Sequence, residues 1–200
     1  MTYPQLNVSL SRSFTGALEG EYEFTKLEVR IDHQFITRGL GKTSFQVAAG
    51  AIDGNVPYPF LFNGKGSQFN SSFLNNAVVN NYFQTMGLYE FFSDRYAYFF
   101  LNHHLGRITG NKSKYFRPEL AHHMGIGSMM NRGAHQGVDF KTMEKGYFES
   151  GMIVSNLIRF NYLNLVYFGL GAGGFYRYGQ YRLPDEADNI VGKLVLTISF

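Results

Sequence analysis

An all-β fold of about eight long antiparallel strands is what the sequence predicts, on three observations. The clearest is the stretch 21–37, where Leu27, Val29, Ile31 and Phe35 alternate with Glu28, Arg30, Asp32 and Gln34. A helix would wind those charges around every side, whereas a pleated strand sends successive side chains to opposite faces. The second is the closing stretch 192–200, with Leu194, Leu196, Ile198 and Phe200 on one face and Lys193, Val195, Thr197 and Ser199 on the other. The third is composition: 20 Phe, 14 Tyr and 23 Gly in 200 residues, with only 16% charged, against roughly 25% in ordinary soluble domains. One face in hydrocarbon and one toward a polar lumen produces such alternation, with aromatic girdles at the interfaces and small residues in the wall. The predicted architecture is therefore an antiparallel transmembrane β-barrel, one domain over residues 1–200.

The elements follow in order. Residues 5–14 place Leu6, Val8 and Leu10 opposite Asn7, Ser9 and Ser11, and 15–20 form a turn. After the strand 21–37, the turn 38–41 leads into 42–53, where Phe45, Val47, Ala49 and Ala51 oppose Ser44, Gln46, Ala48 and Gly50. Residues 54–93, rich in asparagine and carrying Pro57 and Pro59, are too long for an ordinary connection and predict a folded or functional loop. Strands at 94–105, 117–130, 145–159 and 162–178 follow, the last two separated by a tight turn at Phe160–Asn161. In the strand 162–178, Phe168, Leu170 and Ala172 alternate with Gly169, Gly171 and Gly173. The glycines are expected to thin the inner wall so that the long loop can approach the backbone.

If the chain finishes in the periplasm, the connections 179–189, 131–144, 54–93 and 15–20 face out of the cell. Those near Phe160, at 106–116 and at 38–41 then face the periplasm. Most outer connections are the longer ones, as in outer-membrane barrels, with 106–116 and 15–20 against the trend. A formal charge of +3 with basic residues spread along the chain gives no nucleic-acid footprint. With 0 Cys there is neither a disulfide framework nor a thiolate metal site. The sequence has no run of 18 apolar residues, so it predicts no spanning helix. A mean hydropathy of −0.17 is what averaging over two-faced strands gives. Residues 1–4 enter a strand-like segment without a basic or apolar leader, so the barrel reading makes this the C-terminal part of something larger.

The terminal Phe200, with apolar residues two, four and six positions before it, resembles the C-terminal signature of bacterial outer-membrane barrel proteins. That resemblance implies recognition by the barrel assembly machinery. The ordered motifs Glu90-Phe91-Phe92-Ser93-Asp94-Arg95-Tyr96, Asn102-His103-His104, Glu119-Leu120-Ala121-His122-His123 and Gly146-Tyr147-Phe148-Glu149-Ser150-Gly151 are similar to the C-terminal region of a Bacteroidota outer-membrane family. Its members are large, mostly uncharacterised proteins with a carboxypeptidase-regulatory-like domain before a barrel. Gly54-Asn55-Val56-Pro57-Tyr58-Pro59 resembles the segment before that family's long loop. A long loop followed by five strands is also similar to the Omp85-type layout, whose members insert or secrete outer-membrane proteins. Their long loop carries an Arg-Gly-Phe-like motif, whereas residues 54–93 contain no Arg-Gly pair, so the likeness is one of architecture.

The residues then sort by face. Leu27, Val29, Ile31, Leu194, Leu196, Ile198 and Phe200 are the candidate lipid-facing and assembly-signal positions. Glu28, Arg30, Asp32, Glu149 and Arg177 are the candidate polar lumen lining, where opposite charges neutralise one another. The pairs His103-His104 and His122-His123 invite a metal, but neighbours on a strand point to opposite faces, so only one of each reaches the lumen. Two histidines without a nearby carboxylate on the same face make a poor metal site, so they read as lining. Gly169-x-Gly171-x-Gly173 is no dinucleotide motif, since no helix follows it. No catalytic, cofactor or metal residues are predicted. The expected function is a non-enzymatic structural or transport role in a Gram-negative outer membrane, with lipids as partner and loop 54–93 constricting the lumen. The rivals are an Omp85-like assembly or secretion factor, an outer-membrane enzyme in a small barrel, and a soluble β-domain.

Overall fold

The computed structural model describes residues 3–16, 22–54, 56–68, 77–105, 117–130, 141–163 and 165–199. Eight long strands form one antiparallel sheet: β1 (Gln5–Ser13), β2 (Phe24–Thr37), β3 (Gly41–Gly54), β8 (Arg95–Leu105), β9 (Arg117–Ser128), β10 (Tyr147–Tyr162), β11 (Val166–Tyr178) and β12 (Ile190–Ser199). They lie side by side in that order. Between β3 and β8 the chain folds into an insert of short elements: β4 (Phe62–Asn63), β5 (Gly66–Gln68), β6 (Phe83–Gly87) and β7 (Phe92–Ser93). β4 pairs with β7, and β5 with β6. Among the described residues β1 and β12 do not pair with each other, and no α-helix forms.

The registers carry the alternation of single strands across the sheet. One transverse row runs Asp32, Gln46, Phe100, His123, Glu149, Arg177 from β2 to β11. The adjacent row on the other face runs Ile31, Val47, Phe99, Met124, Phe148, Tyr178. Because the side-chain period is two, a slip of one residue in any pair would exchange the two rows. The outer row is apolar and aromatic throughout; the inner row is mostly polar, with Phe100 embedded in it.

The core lies on the inner face, between the sheet and the insert. Phe83, Met86, Phe91 and Phe92 of the insert pack on Tyr96, Tyr98 and Phe100 of β8 and Tyr147 of β10. The Phe83 ring centroid lies 5.6 Å from Tyr98 and 5.0 Å from both Phe100 and Tyr147, within the range of edge-to-face contacts. Gly125 of β9 makes room for this stack: a Cβ there would sit 2.8 Å from Phe83 and 2.9 Å from Tyr98. The inner face was expected to be polar. On β8 it is aromatic, because the insert covers it and supplies the apolar partner.

Two local features differ from expectation. β10 runs on to Tyr162 and β11 starts at Val166, so the strands do not end at Phe160–Asn161; Leu165 N–H donates to Tyr162 O at 3.1 Å. Upstream, β10 bulges: Val154 pairs with Ala172 and Ile158 with Leu170, so residues 155–157 oppose Gly171 alone. Asn156 takes a left-handed φ of 59° and accepts a hydrogen bond from Thr197 Oγ1. This bulge, not the insert, fills the space left by the glycines. A Cβ on Gly171 would run into the Val154 carbonyl oxygen, and one on Gly169 into the Asn156 and Thr197 oxygens.

Gly171→Val is therefore expected to lower unfolding stability by about 2 kcal/mol or more through overpacking against backbone. Gly174→Val, where nothing lies within 4 Å of the added Cβ, should change stability little. Urea unfolding of the folded protein followed by circular dichroism measures both. Equal losses for the two variants would contradict the bulge packing.

Candidate functional site

The most interconnected polar group of the inner face is the seat of the insert. Glu149 stands inward on β10, and its side chain is fully buried. A buried carboxylate is costly unless donors surround it, and here they do. Gln84 N–H donates to Oε1 at 2.8 Å and Thr85 N–H to Oε2 at 2.9 Å. The Thr85 hydroxyl donates to Oε2 at 2.6 Å. Having used its one proton there, it accepts from the Tyr147 hydroxyl at 2.7 Å. His123 Nδ1 on β9 completes the ring at 2.8 Å from Oε1, and its Nε2 lies 3.3 Å from the Asn102 side-chain oxygen. Two successive backbone amides of β6 thus point at one carboxylate of the wall.

A second anchor lies one strand along. Arg177, inward on β11 and 3% exposed, binds Glu90 of the insert in bidentate fashion, Nη2 donating at 2.8 Å and Nη1 at 3.2 Å. Its guanidinium carbon sits 4.7 Å from the Tyr147 ring centre and 5.8 Å from that of Phe91, so the cation is held by aromatic faces as well as by the carboxylate. Glu90 also accepts from Gly87 N–H at 2.9 Å, closing the tight turn 87–90. Tyr89 in that turn has φ 58°. The third anchor is on β12, where Val78 N–H donates to Leu194 O at 2.9 Å and Ala77 bridges Leu194 in parallel. Gln84 clamps the intervening loop, its Nε2 donating to Val79 O at 2.6 Å and Tyr82 O at 2.7 Å. Lys65, the insert's cation, has its ammonium pushed below the ordinary lysine value by burial, with Glu28 and Asp32 opposing the shift.

The sequence-named residues fall as follows. Leu27, Ile31, Leu194, Leu196 and Ile198 stand exposed on the outer face, with Val29 half-buried beside them. Phe200 lies outside the described residues, as do 106–116, 131–140 and most of 15–20. Glu28, Arg30 and Asp32 share the inner face of β2. Glu28 accepts from Tyr96 OH at 3.2 Å and lies 3.5 Å from Lys26; Arg30 and Asp32 pair at 3.0 Å. Glu149 and Arg177 are cross-strand neighbours in register, yet Glu149 accepts chiefly from the insert and Arg177 donates to it.

Each histidine pair divides between the faces. His103 and His122 lie on the outer side, against Thr43 and Ser150 at 2.9 Å. His104 and His123 lie inside, and each has a carboxylate, Glu119 at 3.1 Å and Glu149 at 2.8 Å. The register of neighbouring strands brings these carboxylates, which spacing along one strand did not reveal. Among the described residues no group of three or more His, Asp or Glu forms a metal-ligand cluster.

Sequence reasoning missed Thr85, Gln84, Glu90, His123 and Tyr147 as parts of this cluster. One signal was present: Lys65 and Glu90 are the only charged residues in 54–93, and a lone carboxylate in a long uncharged segment needs a cation.

Glu149→Ala leaves two buried amides and a hydroxyl without their acceptor, and is expected to cost about 3–5 kcal/mol. It should also open residues 77–90 to limited proteolysis. Glu28→Ala, which breaks a half-exposed pair, should cost about 1 kcal/mol or less. Urea titrations of both variants with mapping of the first protease cuts check this; a small effect of Glu149→Ala would deny it the role of seat. Neither a family model, nor a curated protein, nor a solved structure matches this chain.

Proposed function

We propose that this chain is the wall and plug of an outer-membrane β-barrel with a structural or transport role and no enzymatic one, the insert seated in the lumen. The observation that carries the reading is the pair of adjacent rows across β2 to β11, apolar and aromatic outside, polar and occupied by the insert inside. Exposed Leu, Ile, Met and Phe along the outer face of strand after strand, including Leu6, Leu10, Ile31, Phe35, Leu120, Ile126, Met152 and Leu196, form a surface that water penalises and hydrocarbon accepts. In a bilayer the edges of β1 and β12, which among the described residues do not pair with each other, require partners along their length, from closure onto each other or from further strands. The partners on this reading are outer-membrane lipids and, through the last strand, the assembly machinery. The likeness to the Bacteroidota family points the same way.

An assembly or secretion role on the Omp85-like layout is the second reading. The observation that favours it is the long insert folded against the inner wall and held there by the Arg177–Glu90 ion pair.

With 0 Cys in the chain, single cysteines report the environment of each face. Cysteines at Leu27, Ile31 and Leu196, exposed here, should resist a water-soluble maleimide in reconstituted vesicles and react after solubilisation in denaturant. A cysteine at Glu28 should react in the vesicles. Full reactivity of the outer positions in the native protein would defeat the membrane reading.

A further inference from the structure

On the inner face, below the insert, a cavity of about 610 Å³ opens between the ends of β2, β3, β8 and β9 and residues 3–5, where β1 begins. Asn80 and Asn81 form its roof. That volume is in the range of small-molecule sites, about 300–1,000 Å³. The seat meets its lining at Asn102, through His123 Nε2.

The lining is dense in carboxamides. Gln34, Gln46 and Asn102 stand on the walls with Ser44, opposite Asn80 and Asn81. Each carboxamide presents donors and an acceptor in one plane, the complement of hydroxyl groups that both give and accept. The charged groups are already matched to one another. Asp32 is held by Arg30 at 3.0 Å and by the Gln46 amide, and Glu119 by His104 at 3.1 Å. Lys42, in register with His104, adds a second cation to balance the second carboxylate. A charged ligand would meet no uncompensated counter-ion, and would lose hydration without return.

The site is also built in advance. Gln46 is oriented by Asp32, and Asn102 by His123 Nε2. Asn81 is held at φ 59° in the loop that Gln84 clamps. Groups fixed before binding lose less freedom when the ligand arrives.

We propose that this cavity binds a neutral, polyhydroxylated ligand of mono- to disaccharide size. The carboxamides come from the inner face and the insert, while His33 and Phe45, on the other parity, complete the lining; the proposal rests on the carboxamides and so stands apart from what the outer face meets.

The test uses the whole protein in a detergent without sugar headgroups, probed by saturation-transfer NMR with maltose, glucuronate and glucosamine. Maltose should saturate with a dissociation constant of about a millimolar, and the two charged sugars should bind more weakly. Asn80→Ala and Asn81→Gly remove roof amides without touching the core, the glycine keeping the left-handed backbone; each should weaken maltose about tenfold. Asn102→Leu should weaken it as much from the wall, and an unchanged thermal unfolding midpoint identifies the variants that keep the fold. The proposal is overturned by non-saturable maltose transfer, by tighter binding of either charged sugar, or by unchanged affinity in the folded roof variants.

Discussion

The carboxylate of Glu149 is the constraint on which the interior of this protein depends. Buried without partners it would cost several kcal/mol; it is stable only because the insert brings two backbone amides and a hydroxyl to it, and β9 brings His123. The dependence runs both ways. β6 is a five-residue strand paired with the three-residue β5, too little to hold its own shape by backbone pairing. Its position comes from the wall: Glu149 on one strand, Arg177 on the next, the Leu194 carbonyl on the last. Taking away the acid leaves the amides orphaned, and taking away the insert leaves the acid with His123 alone among these partners.

Around that polar centre the aromatic side chains exclude water and fix distance. Phe83 lies within about a ring's width of Tyr98, Phe100 and Tyr147, and Tyr147 is at once a packing face for Phe83 and Phe91, a platform for the Arg177 cation and a hydroxyl donor to Thr85. In a low-dielectric pocket the ion pair and hydrogen bonds strengthen, and an unmatched group there becomes correspondingly expensive. The seat is therefore cooperative, since apolar packing and polar satisfaction fail together. On the proposed reading this is what keeps a plug in place, while the cavity beneath it is left to polar, self-neutralised side chains.

The two faces of the sheet answer to different constraints. Outside, strand after strand repeats an apolar side chain at most second positions, interrupted by the His103–Thr43 and His122–Ser150 pairs. Inside, composition varies with depth: charged on β2, aromatic on β8, glycine on β11 where the β10 bulge leans in. Glycine at 171 is required because backbone of the neighbouring strand occupies the place of its side chain, a packing demand that lies outside the strand carrying it.

What the sequence by itself determined was the set of long strands and their sidedness. The alternation of Leu27, Val29 and Ile31 with Glu28, Arg30 and Asp32, and of Leu194, Leu196 and Ile198 with Lys193 and Thr197, is local information: a period of two read along one segment. The long stretch after β3 was legible from its length as a folded or functional loop. What only the tertiary structure decided was which distant residues meet. Glu149 lies 64 positions from Thr85 and Arg177 lies 87 from Glu90, and no periodicity within one strand encodes a partner chosen by register and by the path of an insert. The same limit hid the carboxylates beside His104 and His123, the bulge in β10, and the aromatic inner face of β8. Each is set by what packs across from a strand, and a strand's own sequence records only which way its side chains point.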